Sequence, residues 1–560
     1  MSSKLLPVIE RLPNVSGTPE FEAARAAILE EFAAKVPREL HILPAVITNP
    51  PKNVVPLPRE CGILSSAEID ITENYDAVAL AEAIAAKKFT AVAVALAYSK
   101  RAIIAHQLTC CLSEWFMDEA LEQAKALDDY LERTGKTVGP LHGVPIAVKE
   151  MIPLAGHYTS LGFVVTRHKA KKDCQMISIL RKAGAVFHCK TLQPQGIMHL
   201  ETVSPLGRTL NQHNIDLSAG GSTGGGAALV ALRGSPLAIG TDIGGSIRTP
   251  AAFCGIYGFK TTSYYLPMRD FTGDYGYAGE LNVLGSTGPL ATSLRDMALF
   301  VSVLKDAQPH LEDPRLIPIP WTGLRTTPKT GPLKVGFMMN DGVVVPQPPV
   351  IRALNWAREQ LAKSAAFEVK HFVPFRAADA MDSVQRIFVP DGGRMIKGAM
   401  AATGEPPMLL TKETLEAAEA MNQDLDAAGI LQQRVSRDKF RCEFAEHWMA
   451  QDVDVLISPA YVGPACPHDG ALFWNYESFW NYVDYPGVVV PTPIKALKKG
   501  EEGYAPADAT PLSEDCKRAR QFWEEGDYEG APINIQIIAR KYCDNELFAA
   551  MSVLQGPLAI

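Results

Sequence analysis

The feature that most limits how this chain can fold is a pair of glycine-rich turns, Leu217-Ser-Ala-Gly-Gly-Ser-Thr-Gly-Gly-Gly226 and Gly240-Thr-Asp-Ile-Gly-Gly-Ser-Ile-Arg-Thr-Pro250. In the first, five glycines and a serine–threonine pair fall within seven residues, Gly220 to Gly226. Glycine tolerates positive φ and lets the backbone approach another group closely. Two such turns, each holding a hydroxyl, are therefore read as shaped loops rather than linkers. Between them, Ala227-Ala-Leu-Val-Ala-Leu-Arg233 opens as a helix and Pro236-Leu-Ala-Ile-Gly240 is an apolar strand feeding the second turn, which carries Ser246. Upstream, Leu141-His-Gly-Val-Pro-Ile-Ala-Val-Lys149 reads as a short apolar strand ending in a lysine. One lysine and two serines, from three separate segments, make the candidate site.

The surrounding pattern agrees with a layered fold. From Pro140 onward, strands alternate with helices: Val144 to Val148 is a strand, Ser178 to Ala183 ends a helix capped by Gly184, and Ala185 to Cys189 is the next strand. Leu229 to Leu232 continues the helix after the first turn, and Leu237 to Gly240 is again a strand. Apolar strands interleaved with helices indicate an α/β sheet covered on both faces. Site residues then fall at strand ends and helix starts, where open sheets place their ligands.

The chain is expected to divide into four parts. Residues 1–75 hold helical pieces such as Glu20 to Phe32, followed by a connector with prolines at 44, 50, 51, 56 and 58 that reads as an extended strap. Residues 76–331 are the catalytic core. There Asp76 and Thr90 are candidate helix caps, and Ala120, Ala124, Leu127 and Leu131 form one amphipathic stripe. Residues 332–440 read as an insertion that walls the pocket: strand Leu333 to Met338, helix Pro349 to Lys363, strand Phe367 to Phe372, then helices carrying Met395, Met400 and Met408. Residues 441–560 return to the core sheet through Asp454 to Ser458, Val488 to Pro491 and Pro532 to Ile538.

Composition excludes several classes. A formal net charge of −8 without blocks of like charge argues against nucleic acid or an anionic membrane as partner. The N-terminus turns polar too quickly for a secretory signal. The most apolar helix candidate, Ala91 to Tyr98, meets Ser99-Lys-Arg101 long before the roughly 20 residues a membrane span needs. Ten cysteines include the adjacent Cys110 and Cys111 but no C-x-x-C, so neither a zinc site nor a disulfide framework is indicated. No metal or other cofactor is expected, and the reading is of a cytoplasmic protein in a reducing compartment.

With these motifs in this order, the chain resembles the amidase-signature hydrolases, most closely their fungal acetamidase or general amidase branch. The resemblance covers nearly the whole chain, with its specific motifs within residues 141–255. It implies the fold of that family, a large mixed and twisted β-sheet covered by helices. It also implies a catalytic triad of Lys149, Ser222 and Ser246, with Ser222 joined to Gly221 by a cis peptide. The N–H groups of Ile243, Gly244, Gly245 and Ser246 would form the oxyanion hole. Gln195, Ile197, Gly221 and Ser222 would lie beside the substrate. One departure is visible: the second residue of the family's serine pair is Thr223 here.

The chemistry is coherent without histidine. A serine is a weak nucleophile until a base takes its proton. Lysine can serve if burial brings its pKa far below the usual value of about 10.4. The bland alternative is a lysine closing a strand and paired with Glu150. His142, before the lysine strand, and His213, before the first glycine turn, are alternative bases; Cys254 is an alternative nucleophile or a small buried hydrophobe.

Several functions remain open on the same triad. The leading one is hydrolysis of small carboxamides to carboxylate and ammonia or amine through an acyl-enzyme, with only amide and water as partners; the resemblance admits a homodimer. Carbamate or aryl-amide hydrolysis, and the glutaminase subunit of a tRNA-dependent amidotransferase, are the alternatives. A binding-only relative would normally have lost one of Lys149, Ser222 and Ser246. The aromatic run from Phe473 to Tyr485 either lines an apolar pocket or packs the core.

Overall fold

The computed structural model describes residues 5–13, 15–271, 282–422 and 425–560. Eleven strands form one mixed sheet: β1 Leu112–Trp115, β2 Pro145–Lys149, β3 Val186–Thr191, β4 Leu237–Asp242, β5 Tyr257–Lys260, β6 Ser286–Ala291, β7 Leu333–Phe337, β8 Phe367–His371, β9 Val455–Pro459, β10 Gly487–Lys495 and β11 Pro532–Ile538. Their order across the sheet is β1-β3-β2-β4-β6-β5-β10-β11-β9-β7-β8. β3, β2 and β4 run parallel, as do β9, β7 and β8, and the pairings from β4 through to β9 are antiparallel.

Side chains of a strand alternate between the two faces of a sheet, and here both faces are dry. Ala147, Ala238, Leu456 and Val489 enter one hydrophobic cluster, while Ile146, Val148, Leu237, Ile239, Ile457, Val488 and Val490 enter a second. Helices cover each face, as continuous apolar strands require.

Local signals act where they stand in the chain. Asp76 caps the Ala77–Ala85 helix by accepting from the Ala79 N–H, and Thr90 does the same for Ala91–Thr109 through Ala93. The Met117–Thr134 helix buries Ala120, Ala124 and Leu131, with Leu127 half-buried at the stripe's edge. The Ala91–Thr109 helix runs well past Ser99-Lys-Arg101, because Arg101 is buried and satisfied by Leu232 O, Thr72 Oγ1 and Glu73. No helix among the described residues is long and apolar enough to cross a membrane.

The proline-rich connector differs from an extended strap. Pro44 opens the short helix Pro44–Thr48, and Pro58 sits in the first turn of Leu57–Glu60. Proline's missing N–H and fixed φ suit the first helical turn. Ile42, Val54 and Leu64 of this region pack with Ile104, Leu108, Leu210 and Ile215.

Residues 332–440 join the same sheet rather than standing apart. β7 pairs in parallel with β9, and β8 follows it at the sheet edge. The helices Ala377–Phe388, Arg394–Thr403 and Leu409–Asn422 come next.

Candidate active site

Parallel pairing of β2 with β4 sets Val148 beside Ile239, so Lys149 and Thr241 emerge together at the ends of neighbouring strands. The glycine turn before the Gly224–Ala231 helix reaches the same point from above. Lys149 is fully buried, and three hydroxyls surround its amine: Ser222 Oγ at 2.6 Å, Thr241 Oγ1 at 2.9 Å and Thr223 Oγ1 at 3.2 Å. Among the described residues no carboxylate touches it. Glu150 is turned away and accepts from Ser160 Oγ at 2.5 Å, so there is no Lys149–Glu150 ion pair.

That environment lowers the Lys149 pKa to about 7, because burial penalises the charged form and the nearby Asp242 carboxylate only partly opposes it. A neutral amine has two N–H donors and one lone pair, and three hydroxyls match that count. Thr241 and Thr223 can accept its two protons, leaving the lone pair for the Ser222 hydroxyl, its shortest contact. The Thr241 hydroxyl in turn donates to Met151 Sδ at 3.7 Å. Thr223, the visible departure from the family's serine pair, therefore still presents a hydroxyl to the lysine. The contact of Thr241 with Lys149 follows from the strand order, which no single motif states.

The Gly221–Ser222 peptide is cis. The Thr223 N–H donates to the Ser246 carbonyl at 3.1 Å, tying the two glycine turns together. Ser246 is almost buried, 5% exposed. The turn that carries it is organised by Asp242. One carboxylate oxygen accepts from the Gly245 N–H at 2.9 Å, Arg248 Nη2 at 3.0 Å and Asn481 Nδ2 at 2.9 Å. The other accepts from the N–H groups of Ile247 and Arg248 and from Arg248 Nε. Burial alone would raise the Asp242 pKa, but the Arg248 guanidinium overrides it and holds the carboxyl well below the usual carboxylate range.

This arrangement corrects one expectation. Gly245, at φ +126°, turns its N–H inward to Asp242 and cannot also offer it to an oxyanion. The N–H groups of Ile243, Gly244 and Ser246 have no acceptor among the described residues. Three donors, not four, are free in this turn.

The residues expected beside the substrate divide. Gly221 and Ser222 lie in the turn against Lys149. Ile197 holds φ +54°, a left-handed conformation that a β-branched side chain rarely adopts, so its loop is held by its surroundings. Gln195 has its amide already occupied: Nε2 donates to Glu405 Oε1 and to Pro406 O, and Oε1 accepts from the Met408 N–H. Its side chain pins the 193–197 loop to the segment 405–408 instead of facing a ligand. Motif spacing carries no sign of that partner, which lies some two hundred residues away.

The alternatives sit elsewhere. His142 Nδ1 accepts from the Val138 N–H, and His213 Nε2 lies 3.4 Å from the Cys254 carbonyl; neither bonds to Ser222 or Ser246. Burial lowers both imidazole pKa values, that of His213 to about 4. The Cys254 thiol is buried and pushed far up by desolvation, with its sulfur against the Ala219 carbonyl. Among the described residues no three His, Cys, Asp or Glu side chains gather as a metal cage.

The aromatic run is split by its helix, Asn475–Tyr482. Trp474 pairs with Phe388 at 5.6 Å between ring centroids, and both lie against Gly244: a Cβ there would stand 2.9 Å from Phe388 Cζ and 3.5 Å from Trp474 Cε3. Phe479 and Trp480 instead line a separate aromatic cavity with Phe372, Phe375 and Phe444.

Comparison with known proteins settles the family. The Amidase family profile matches residues 93–548, which span all eleven strands of the sheet and the residues of the candidate site. The chain belongs to the amidase signature family. A relative from Schizosaccharomyces pombe is 41% identical over 510 residues, covering 90% of this chain and 93% of its own. The acetamidase of Emericella nidulans is 34% identical over 515 residues, covering 89% and 91%. Among solved structures, fatty acid amide hydrolase superposes with a TM-score of 0.90 at 32% identity, covering 97% of this chain and 95% of that one. This amidase is thus a hydrolase of amides on the amidase-signature fold.

Proposed function

We propose that this amidase cleaves the C–N bond of small linear carboxamides by a Ser246–Ser222–Lys149 triad through an acyl-enzyme. The observation that carries the reading is the buried Lys149 amine, 2.6 Å from Ser222 Oγ and, among the described residues, free of any carboxylate. The full-length similarity to acetamidases supports the substrate class.

In the acylation step Ser246 Oγ bonds to the carbonyl carbon of the amide. Its proton moves to Ser222, whose own proton passes to the lone pair of Lys149. The carbonyl oxygen becomes an oxyanion facing the N–H groups of Ile243, Gly244 and Ser246, where each preorganised donor contributes about 2.7–4 kcal/mol to the transition state. Lys149 then returns the proton through Ser222 to the amide nitrogen, the C–N bond breaks, and ammonia or an amine leaves. Water attacks the acyl carbon along the same route, its proton going to Lys149 by way of Ser222. The carboxylate departs and Ser246 regains its hydroxyl.

Phe388 and Trp474, pressed on Gly244, give the oxyanion turn an aromatic wall supplied in part by residues 332–440. A wall this close to the reacting carbonyl favours a short acyl group. The test is ammonia or amine release by the purified chain alone from acetamide, propionamide, acetanilide, ethyl carbamate and glutamine. Preference for acetamide or propionamide supports the reading. Preference for acetanilide or ethyl carbamate replaces the substrate class, and activity only after adding a second subunit refutes it.

A further inference from the structure

The Asn475–Tyr482 helix lies outside every motif read from the sequence, yet it grips the nucleophile's turn at three points. Asn481 Nδ2 donates to Asp242 Oδ1 at 2.9 Å, and its Oδ1 accepts from Arg248 Nη2 at 2.6 Å. The Glu477 carbonyl accepts from the same guanidinium nitrogen at 2.8 Å. The Glu477 side chain makes the third contact, with Oε1 accepting from Thr249 Oγ1 at 3.0 Å. Thr249 in turn donates its N–H to the Gly245 carbonyl at 2.8 Å.

The packing around this side chain is tight. A Cβ built on Gly245 would stand 2.6 Å from Glu477 Cβ, 2.9 Å from Glu477 Cγ and 2.8 Å from Thr249 Oγ1. Only a glycine lets the turn settle onto this glutamate. Glu477 is wholly buried, and its Oε2 has no hydrogen-bond partner among the described residues. We propose that Glu477 is a positioning residue for the reaction: its Cβ and Cγ are the floor under Gly245, and its carboxyl, through Thr249, fixes the turn that presents Ser246 and the oxyanion-binding amides. This rests on the triad reading given above and adds to it a residue that touches neither substrate nor reacting atoms.

The charge state follows from the surroundings. Burial drives the Glu477 pKa well above the ordinary carboxyl value; the Arg248 guanidinium and the Thr249 hydroxyl oppose this, and the Asp242 carboxylate reinforces it. Tyr461 and Tyr476, the other titratable groups that sense Glu477, are themselves raised far up by burial and stay neutral. A neutral carboxyl suits the place. A carboxylate under Gly245 would repel the oxyanion forming on the other side of the turn, and a buried unpaired charge costs far more than one idle polar atom.

The experiment compares Glu477→Gln, Glu477→Ala and Thr249→Val with wild type and Ser246→Ala. Glutamine keeps the shape and the acceptor while staying neutral, so Glu477→Gln is expected to hold kcat and KM within a few-fold. Glu477→Ala keeps only the Cβ of the floor and removes the acceptor that holds Thr249, and is expected to lower kcat by about 10²-fold, the scale of a misplacement near 1 Å, with KM nearly unchanged. Thr249→Val should lower kcat in the same direction, and the Glu477→Ala/Thr249→Val double variant should lose less than the product of the two single losses, because the residues act in one chain of contacts. If Glu477→Ala fails to fold, Thr249→Val and Glu477→Gln decide. An unchanged kcat in Glu477→Ala or Thr249→Val, or a Glu477→Gln as impaired as the alanine variant, overturns the inference. An active Ser246→Ala would instead overturn the triad reading beneath it.

Discussion

Replacing Lys149 by methionine should reveal the cost of keeping that amine neutral, as a pH-dependent gain in stability. Burial brings the group from 10.5 to about 7. Between those values the unfolded chain carries a proton that the fold gives up, and each pH unit is worth 1.36 kcal/mol. The resulting penalty on the wild-type fold is about 4 kcal/mol at pH 7, about 2 kcal/mol at pH 9 and near zero by about pH 10.5. Because the unfolded state binds more protons in this window, wild-type stability rises with pH at this site, whereas methionine has nothing to titrate. Methionine also deprives Ser222, Thr223 and Thr241 of a partner, a cost of about 1 kcal/mol each that does not vary with pH. The slope is therefore the signal, not the offset. Urea unfolding followed by tryptophan fluorescence at pH 7, 8 and 9 should show the difference between Lys149→Met and wild type moving by about 2 kcal/mol in favour of wild type as pH rises. Parallel curves would mean that Lys149 is charged in the fold, and would refute the argument from burial.

Three further outcomes follow from the same geometry. The acid limb of kcat/KM should lie near pH 7, where Lys149 takes a proton, and Lys149→Arg should be as inactive as Lys149→Ala because arginine cannot deprotonate; an active arginine variant with an unchanged limb would show another base. Asp242→Ala strands the buried Arg248 guanidinium and should destabilise the fold by about 3–5 kcal/mol, measurable as a lowered urea midpoint. Dialysis against EDTA should leave turnover unchanged, since the described residues offer no three-ligand cluster; activity lost to the chelator and restored by zinc would contradict the serine mechanism.

The parts of this fold that are local in sequence were legible. Caps at Asp76 and Thr90, the helix stop at Gly184 and the apolar runs that became β2, β4 and β11 each depend on a few adjacent residues. That Lys149 ends a strand and that Ser222 and Ser246 sit in glycine turns was legible, because each stands in a short local motif. What depends on sheet order was not. Nothing between residues 149 and 241 states that β2 and β4 are neighbours, so Thr241 beside the lysine was invisible. Gln195 looked like a ligand contact because its segment resembles a pocket motif, but its partners Glu405 and Met408 come from a distant segment. Glu477 was hidden inside an aromatic run, where the hydrophobic pattern drew attention away from the one carboxyl of the Asn475–Tyr482 helix. The connector prolines misled for a local reason, since proline favours a first helical turn as readily as an extended strand.

The account stands on Ser246 becoming acylated while Lys149 works as its base. The most direct measurement is acid-quench trapping during turnover of an activated ester or anilide of a short acid, followed by intact-mass and peptide mapping. The prediction is one acyl group per chain, on the peptide that contains Ser246, and none in Ser246→Ala. An acyl group mapped to Ser222, Thr223 or Cys254, or undiminished labelling of Ser246→Ala, would contradict it.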